Sequence, residues 1–207
     1  MERLTAVELV NTIRHDGNGG VTDELATLAG LARWIRERED LSSGITGAAQ
    51  AIADEDLRGE VVELRRAVRA LFARAVSPGP ASPADAGRLL PGDQALAHLN
   101  AVAAREPIAP QLHWPAAGPP GSRPLSAETD PRVRLLAALA RAAIDLLSGP
   151  ARERLRACTA PRCVLYFVKG HGRQEWCKPS CGNRARAARH YQRHHTPGTT
   201  PAAAPRA

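Results

Sequence analysis

This 207-residue sequence predicts a mainly α protein in two parts. A helical domain with one short β-hairpin spans residues 1–150, a small module of hairpin and helix spans 151–195, and a Pro/Ala/Thr tail at 196–207 is expected to be disordered. Three observations carry this. Apolar residues recur at helical spacing through the first part, most clearly over 54–76 and 131–147. All four cysteines of the chain lie between positions 158 and 181. Charge changes abruptly at Pro150: residues 151–195 carry eleven Lys/Arg against two acids, residues 1–150 sixteen against nineteen.

The elements follow in order. Thr27 is placed to cap a helix over 28–38, with Leu28, Leu31, Ala32 and Ile35 on one face. Trp34 on that helix reads as an ordinary core or boundary residue. Asp54–Val76 is the strongest helix. Val61, Leu64, Val68, Leu71 and Phe72 face inward, while Glu60, Glu63, Arg65, Arg66 and Arg69 decorate the rest. Pro78 and Gly79 end it. Ser82-Pro83 is expected to start another helix running to Pro91, and Asp93 a third to about Arg105, burying Leu96, Leu99 and Val102. Residues 106–124 hold six of the seventeen prolines, so no helix crosses them, and Gln111–Trp114 is half of a short hairpin. Ser126 or Asp130 then caps a helix to Leu147, with Leu135, Leu136, Leu139, Ile144 and Leu147 inward, stopped by Ser148-Gly149-Pro150. With three Trp, two Tyr and two Phe, the core is built from Leu, Val, Ile and Ala. The break at Pro150 predicts a helical domain that folds without the module after it.

The cysteines read C-x4-C-x13-C-x3-C: Cys158, Cys163, Cys177 and Cys181. Two close pairs across a short spacer deliver four thiolates to one tetrahedral Zn²⁺. The competing reading is two disulfides, which belong to oxidising compartments. Neither pair has the C-x-x-C spacing of a redox dithiol. Between the pairs lies a strand-like run, Val164–Val168, and after them an Ala/Arg-rich helix. Knuckle, hairpin, knuckle and helix make a treble-clef-like zinc finger. A module of about 40 residues buries too little apolar surface to fold alone, so the metal would contribute much of its folding free energy. Val164, Tyr166 or Leu165, Phe167, Trp176 and Ala185 are its expected mini-core. Four thiolates fill the tetrahedron, so the zinc is structural, and His171, His190, His194 and His195 are not needed as ligands.

This stretch resembles the CGNR zinc finger, whose name is spelled by Cys181-Gly182-Asn183-Arg184. The Trp176-Cys177 pair and the aromatic run after Cys163 also fit. In that family the finger follows an N-terminal ABATE domain, which Val10-Asn11-Thr12 and Leu31-Ala32-Arg33-Trp34 resemble in turn; Glu8 stands where the family usually has Asp. The spacer 169–175 lacks the family's usual run of Ser, Asn and Arg. The resemblance implies a zinc-stabilised DNA-binding module of a bacterial transcription regulator linked to stress, with Asn183 and Arg184 as motif residues.

The expected partner follows from charge. A mildly acidic body joined to a strongly basic module points to a polyanion for the module alone. Counting 100° per residue from Cys181, Arg186, Arg189, His190 and Arg193 fall within about 100° of one another, a basic stripe suited to double-stranded DNA. Gly182 falls inside the stripe, where the missing side chain would let backbone N–H groups approach a phosphate. Arg173 and Lys178 complete the candidate contacts. Arg184 falls on the other side, toward the knuckles and body. A merely solvated face would carry i,i+4 Glu–Arg pairs, and this helix has none. An RNA-binding or ribosome-associated protein would interleave aromatics with the basic residues, and only Tyr191 is present. A redox or zinc sensor is a further alternative. A Gly-rich phosphate loop, paired His and carboxylate ligands and nucleophile motifs are all missing, so an enzyme is not expected. The helical domain is expected to bind a small-molecule effector at residues the sequence does not identify, or to form a homodimer. No window offers ~20 unbroken apolar residues, and residues 1–20 lack an apolar leader core. A cytoplasmic protein without a membrane partner is therefore expected.

Overall fold

The computed structural model describes residues 4–38 and 52–195; the tail expected to be disordered lies outside them. Six helices and three two-stranded antiparallel sheets follow in chain order among the described residues. Helix α1 (Thr5–Val10) leads into a hairpin of β1 (Ile13–His15) and β2 (Val21–Asp23). Its two strands are three residues each, too short for a period-2 pattern, and Asp16 and Gly17–Gly20 supply the turn. Asp16 accepts the N–H groups of Asn18 and Gly20 at 2.7 and 3.0 Å.

Helix α2 (Leu28–Arg36) is capped by Thr27, whose hydroxyl accepts from Gly30 N at 3.1 Å. Leu28 stays partly exposed, while Trp34 is buried in the core with the Arg38 guanidinium 4.1 Å from its ring. Helix α3 (Glu55–Val76) is the central rod, capped by Asp54. It buries Leu57, Val61, Leu64, Val68 and Phe72 against α1, α2, α4 (Gly92–Ala104) and α5 (Pro131–Ser148). Each such side chain contributes about 1.5–3 kcal/mol by leaving water. Asp130, not Ser126, caps α5, accepting from Arg132 N at 2.8 Å.

Four expectations are corrected. Arg65 and Arg69 do not decorate α3: both are 3% exposed. Arg65 forms a two-pronged pair with Asp23 at 2.5 and 2.6 Å, and its charge comes to rest beside the first hairpin. The stretch after Ser82 is one 3₁₀ turn, Pro83–Asp85, because Asp85 is drawn into the core by Arg69 and Gly87 takes φ +68°. On α4 the inward residues are Ala95, Leu99 and Val102, and Leu96 is 46% exposed. On α5, Ile144 and Leu147 are only half-buried, and Ala140, Ala143 and Leu146 take the inward positions.

The Pro-rich segment forms the second hairpin, β3 (Ile108–His113) with β4 (Gly121–Ser126), longer than the residues 111–114 expected. It projects from the body with Leu112 and Trp114 74% and 68% exposed. After a 3₁₀ turn (Pro150–Arg154), β5 (Leu155–Ala157) pairs with β6 (Tyr166–Val168), and α6 (Pro179–His195) closes the described chain. Among the described residues no helix is long and apolar enough to cross a membrane.

Candidate metal centre and basic helix

Strands β5 and β6 flank the first knuckle. Cys158 N donates to Leu165 O at 2.9 Å, and Cys163 N to Ala160 O at 3.0 Å. Arg162 takes a left-handed φ of 63°, the reversal that turns Cys163 back toward Cys158. The second pair straddles the start of α6: Cys177 precedes it and Cys181 lies in its first turn, with Cys181 N bonded to Lys178 O at 3.0 Å.

The four sulfurs lie within 4.8 Å of one another, and the Cys163–Cys177 and Cys177–Cys181 separations are 3.7 and 3.5 Å. A disulfide would need about 2.05 Å, and all four cysteines are free thiols. Thiolates placed ~2.3 Å from a tetrahedral Zn²⁺ stand about 3.8 Å apart, so the donors fit that ion. Contact makes the thiols unequal. Hydrogen bonds from Cys163 and Cys177 favour the thiolate of Cys158, and that charge in turn pushes the Cys163 and Cys177 thiols above their usual range. A divalent cation lets all four be thiolates at once. Among the described residues no histidine joins the cluster. Cys158, Cys163 and Cys181 are buried with Ala160, Phe167 and Ala185, and Leu165, Trp176 and Cys177 cover them.

Arg184 turns toward the knuckles. Its Nε donates to Pro161 O at 3.2 Å and its Nη2 to Cys181 Sγ at 3.2 Å. Arg186, Arg189, His190 and Arg193 line the opposite, open face of α6 with Ala187 and Gln192. Arg186 bonds the Asn183 side chain at 2.5 Å, and Arg189 stands 5.6 Å from the Trp176 ring. Arg173 and Lys178 are exposed nearby. Among the described residues, none of the cations from Arg152 to Arg193 is in a salt bridge. Gly182 departs from its expected role. It is buried, and a Cβ there would stand 3.0 Å from the Trp176 ring. The glycine makes room for that ring rather than for a phosphate.

A second constellation joins the finger to the helical domain, and the sequence reading missed it. The Asn11 side chain pairs with the Tyr166 backbone in both directions, donating to its O at 2.8 Å and accepting from its N at 2.9 Å. The Tyr166 hydroxyl donates to Asp85 Oδ2 at 2.6 Å, while Arg69 Nε donates to Asp85 Oδ1 at 2.6 Å. Ser82 Oγ donates to Val164 O at 2.7 Å and accepts from Arg69 at 3.1 Å. Burial first, and then the Asp85 carboxylate, push the Tyr166 hydroxyl well above its usual range. Tyr166 itself is fully buried against Phe72, ring centroids 5.6 Å apart, in the helical core and not in the finger's mini-core. Asn11 lay inside the Val-Asn-Thr segment already singled out, but nothing local gave it a partner 155 residues away.

The ABATE family model, whose description is "Putative stress-induced transcription regulator", matches residues 4–150. The chain belongs to the ABATE family. A second model, the CGNR zinc finger, matches residues 154–194. In this ABATE protein the four cysteines therefore form one structural zinc site. No curated protein matches the chain.

Proposed function

We propose that this ABATE protein is a DNA-binding transcription regulator of the cytoplasm. It would grip duplex DNA with the open face of α6, and its helical domain would serve to pair two chains and to bind an effector. The observation that carries this is the run of Arg186, Arg189, His190 and Arg193 along one helix face, with no acid among the described residues to neutralise it. Guanidiniums without an internal counter-charge are available to phosphates and to guanine edges. The family description, a stress-induced regulator, supports the same reading. The zinc is assigned a structural role and no catalysis, because thiolates occupy all four of its positions.

A single finger buries only about 600–1,000 Å² on DNA, which favours a pair of fingers. The face of the second hairpin that carries Ile108, Leu112 and Trp114 bears no charged side chain, so two copies can meet there without opposing like charges.

The test is a salt titration of affinity for a selected duplex and for a structured RNA, with sedimentation of the complex. The reading requires tighter duplex binding, affinity falling steeply with salt, and two chains per site. Equal or better RNA binding, or affinity indifferent to salt, would overturn it.

A further inference from the structure

We propose that the groove between α3, α4 and α5 binds a small amphipathic carboxylic acid, one carboxylate on an apolar tail. Leu71 and Ala75 from α3, Leu96 and Leu99 from α4, and Ile144 and Leu147 from α5 wall a cavity of about 520 Å³. Small-molecule sites occupy about 300–1,000 Å³, with mostly apolar walls and a few polar groups. The half-burial of Ile144 and Leu147 and the exposure of Leu96, which no helical pattern predicts, follow from this opening.

The polar groups set the ligand's charge. Arg74, in the last turn of α3, and Arg152, in the 3₁₀ turn after α5, line the same groove with Asn100 and Ser148. Ten arginines of the helical domain are each paired with a carboxylate; of its five other described arginines, Arg33, Arg36, Arg88 and Arg123 do not line this groove and Arg74 does. Among the described residues Arg74 and Arg152 have no acid and no side-chain hydrogen bond, and no acid lines the groove. Two guanidiniums exclude a cationic ligand by repulsion, and each offers the planar fork that a carboxylate accepts. The apolar walls require the remainder of the ligand to be hydrocarbon or aromatic.

Position gives the site its consequence. Arg152 sits in the connection that leads from α5 into β5, the strand paired with β6 of the finger. An acid bridging Arg74 and Arg152 ties that connection to the central helix. This effector role rests on the regulator reading above; the binding itself does not, and it is measured without DNA.

The test uses the full zinc-loaded chain and decanoate as probe, titrated calorimetrically, with decanol and decylamine as controls. Decanoate is expected to saturate one site per chain. Decanol should bind at least about tenfold more weakly, decylamine not at all, and Arg74→Gln or Arg152→Gln should each weaken decanoate about tenfold. Leu96→Glu, at an exposed position, should abolish binding. Thermal melts confirm that each variant is folded. Absence of saturable decanoate binding, equal affinity for decanol, or undiminished binding by the glutamine variants would overturn the site. Loss of decanoate binding with DNA binding intact would reject this inference alone, and the reverse would reject only the regulator reading.

Discussion

Arg184 and Arg186 stand two positions apart on α6 and face opposite environments. Arg184 bonds the first knuckle's Pro161 carbonyl and the Cys181 sulfur. A guanidinium donating to a metal-bound thiolate orients and stabilises that ligand, and loss of such an outer partner typically costs ~10–100-fold in metal affinity. Arg184→Ala is therefore expected to release zinc roughly tenfold more readily to a chelator, as read by a colorimetric zinc indicator. Arg186→Ala, Arg189→Ala and Arg193→Ala should leave zinc retention unchanged. Each is expected to weaken DNA binding and to reduce its salt slope by about one per lost phosphate contact. An Arg184→Ala protein that keeps its zinc but loses DNA would invert these assignments. Metal analysis should find one zinc per chain, and Cys181→Ser should leave the finger unable to hold it.

Elements are held by contacts that single positions decide. A Cβ on Gly30 would stand 2.0 Å from the Glu24 carbonyl oxygen, a backbone atom that cannot swing aside. Gly30→Ala, normally favourable in a helix, is expected here to destabilise by about 1–3 kcal/mol through forced displacement of α2. Equilibrium denaturation measures it, and an unchanged or raised midpoint would show that α2 yields freely. The link between β6 and the body is tested at Tyr166. Tyr166→Phe keeps the ring against Phe72 but leaves Asp85 with one donor fewer. It should cost about 1–3 kcal/mol, the penalty of a buried group losing a partner. Asn11→Ala should lower the melting temperature similarly, because it strips both backbone partners from Tyr166.

At the scale of the whole molecule, the start of the finger and the helical domain share one hydrophobic core. Leu155, Ala157 and Tyr166 lie beyond Gly149 yet belong to the main core. Truncation after Gly149, which the sequence reading expects to be tolerated, should therefore lower the stability of the helical domain by more than about 3 kcal/mol, from the lost burial of Tyr166 and Leu155 alone. A fragment melting like the full chain would show that the finger adds nothing to the body. Acid stability follows from Asp23. Burial raises its carboxyl, but the Arg65 hydrogen bond and charge outweigh this and hold it below its usual value of 3.8. Glu106 is held low in the same way by Arg141. A carboxylate depressed in the folded state contributes stability above its unfolded pKa and loses it as pH falls through the folded one. Asp23→Asn should thus be less stable than wild type near neutrality, and the gap should narrow once pH falls below about 4. A gap independent of pH would mean that the charge on Asp23 contributes nothing.

Much of this protein is set within short stretches. The zinc ligands were legible because spacing along the chain, C-x4-C and C-x3-C, is itself the geometry of two metal knuckles. The long helices were legible because period and caps are local: Thr27, Asp54 and Asp130 cap the helices that follow them. The orientation of Arg184 came from the same arithmetic of residues per turn. What the sequence left open depends on partners brought from far away. Arg65 and Arg69 read as solvent-facing because their acids, Asp23 and Asp85, lie on other elements, and only folding brings opposite charges close enough to be buried together. Tyr166 read as part of the finger because no local signal shows that Asn11, Ser82 and Asp85 converge on it. Gly182 read as an opening for phosphate because a helical wheel does not include the Trp176 ring that fills the space. Tertiary packing alone decided these three, since in each the deciding atom belongs to another segment of the chain.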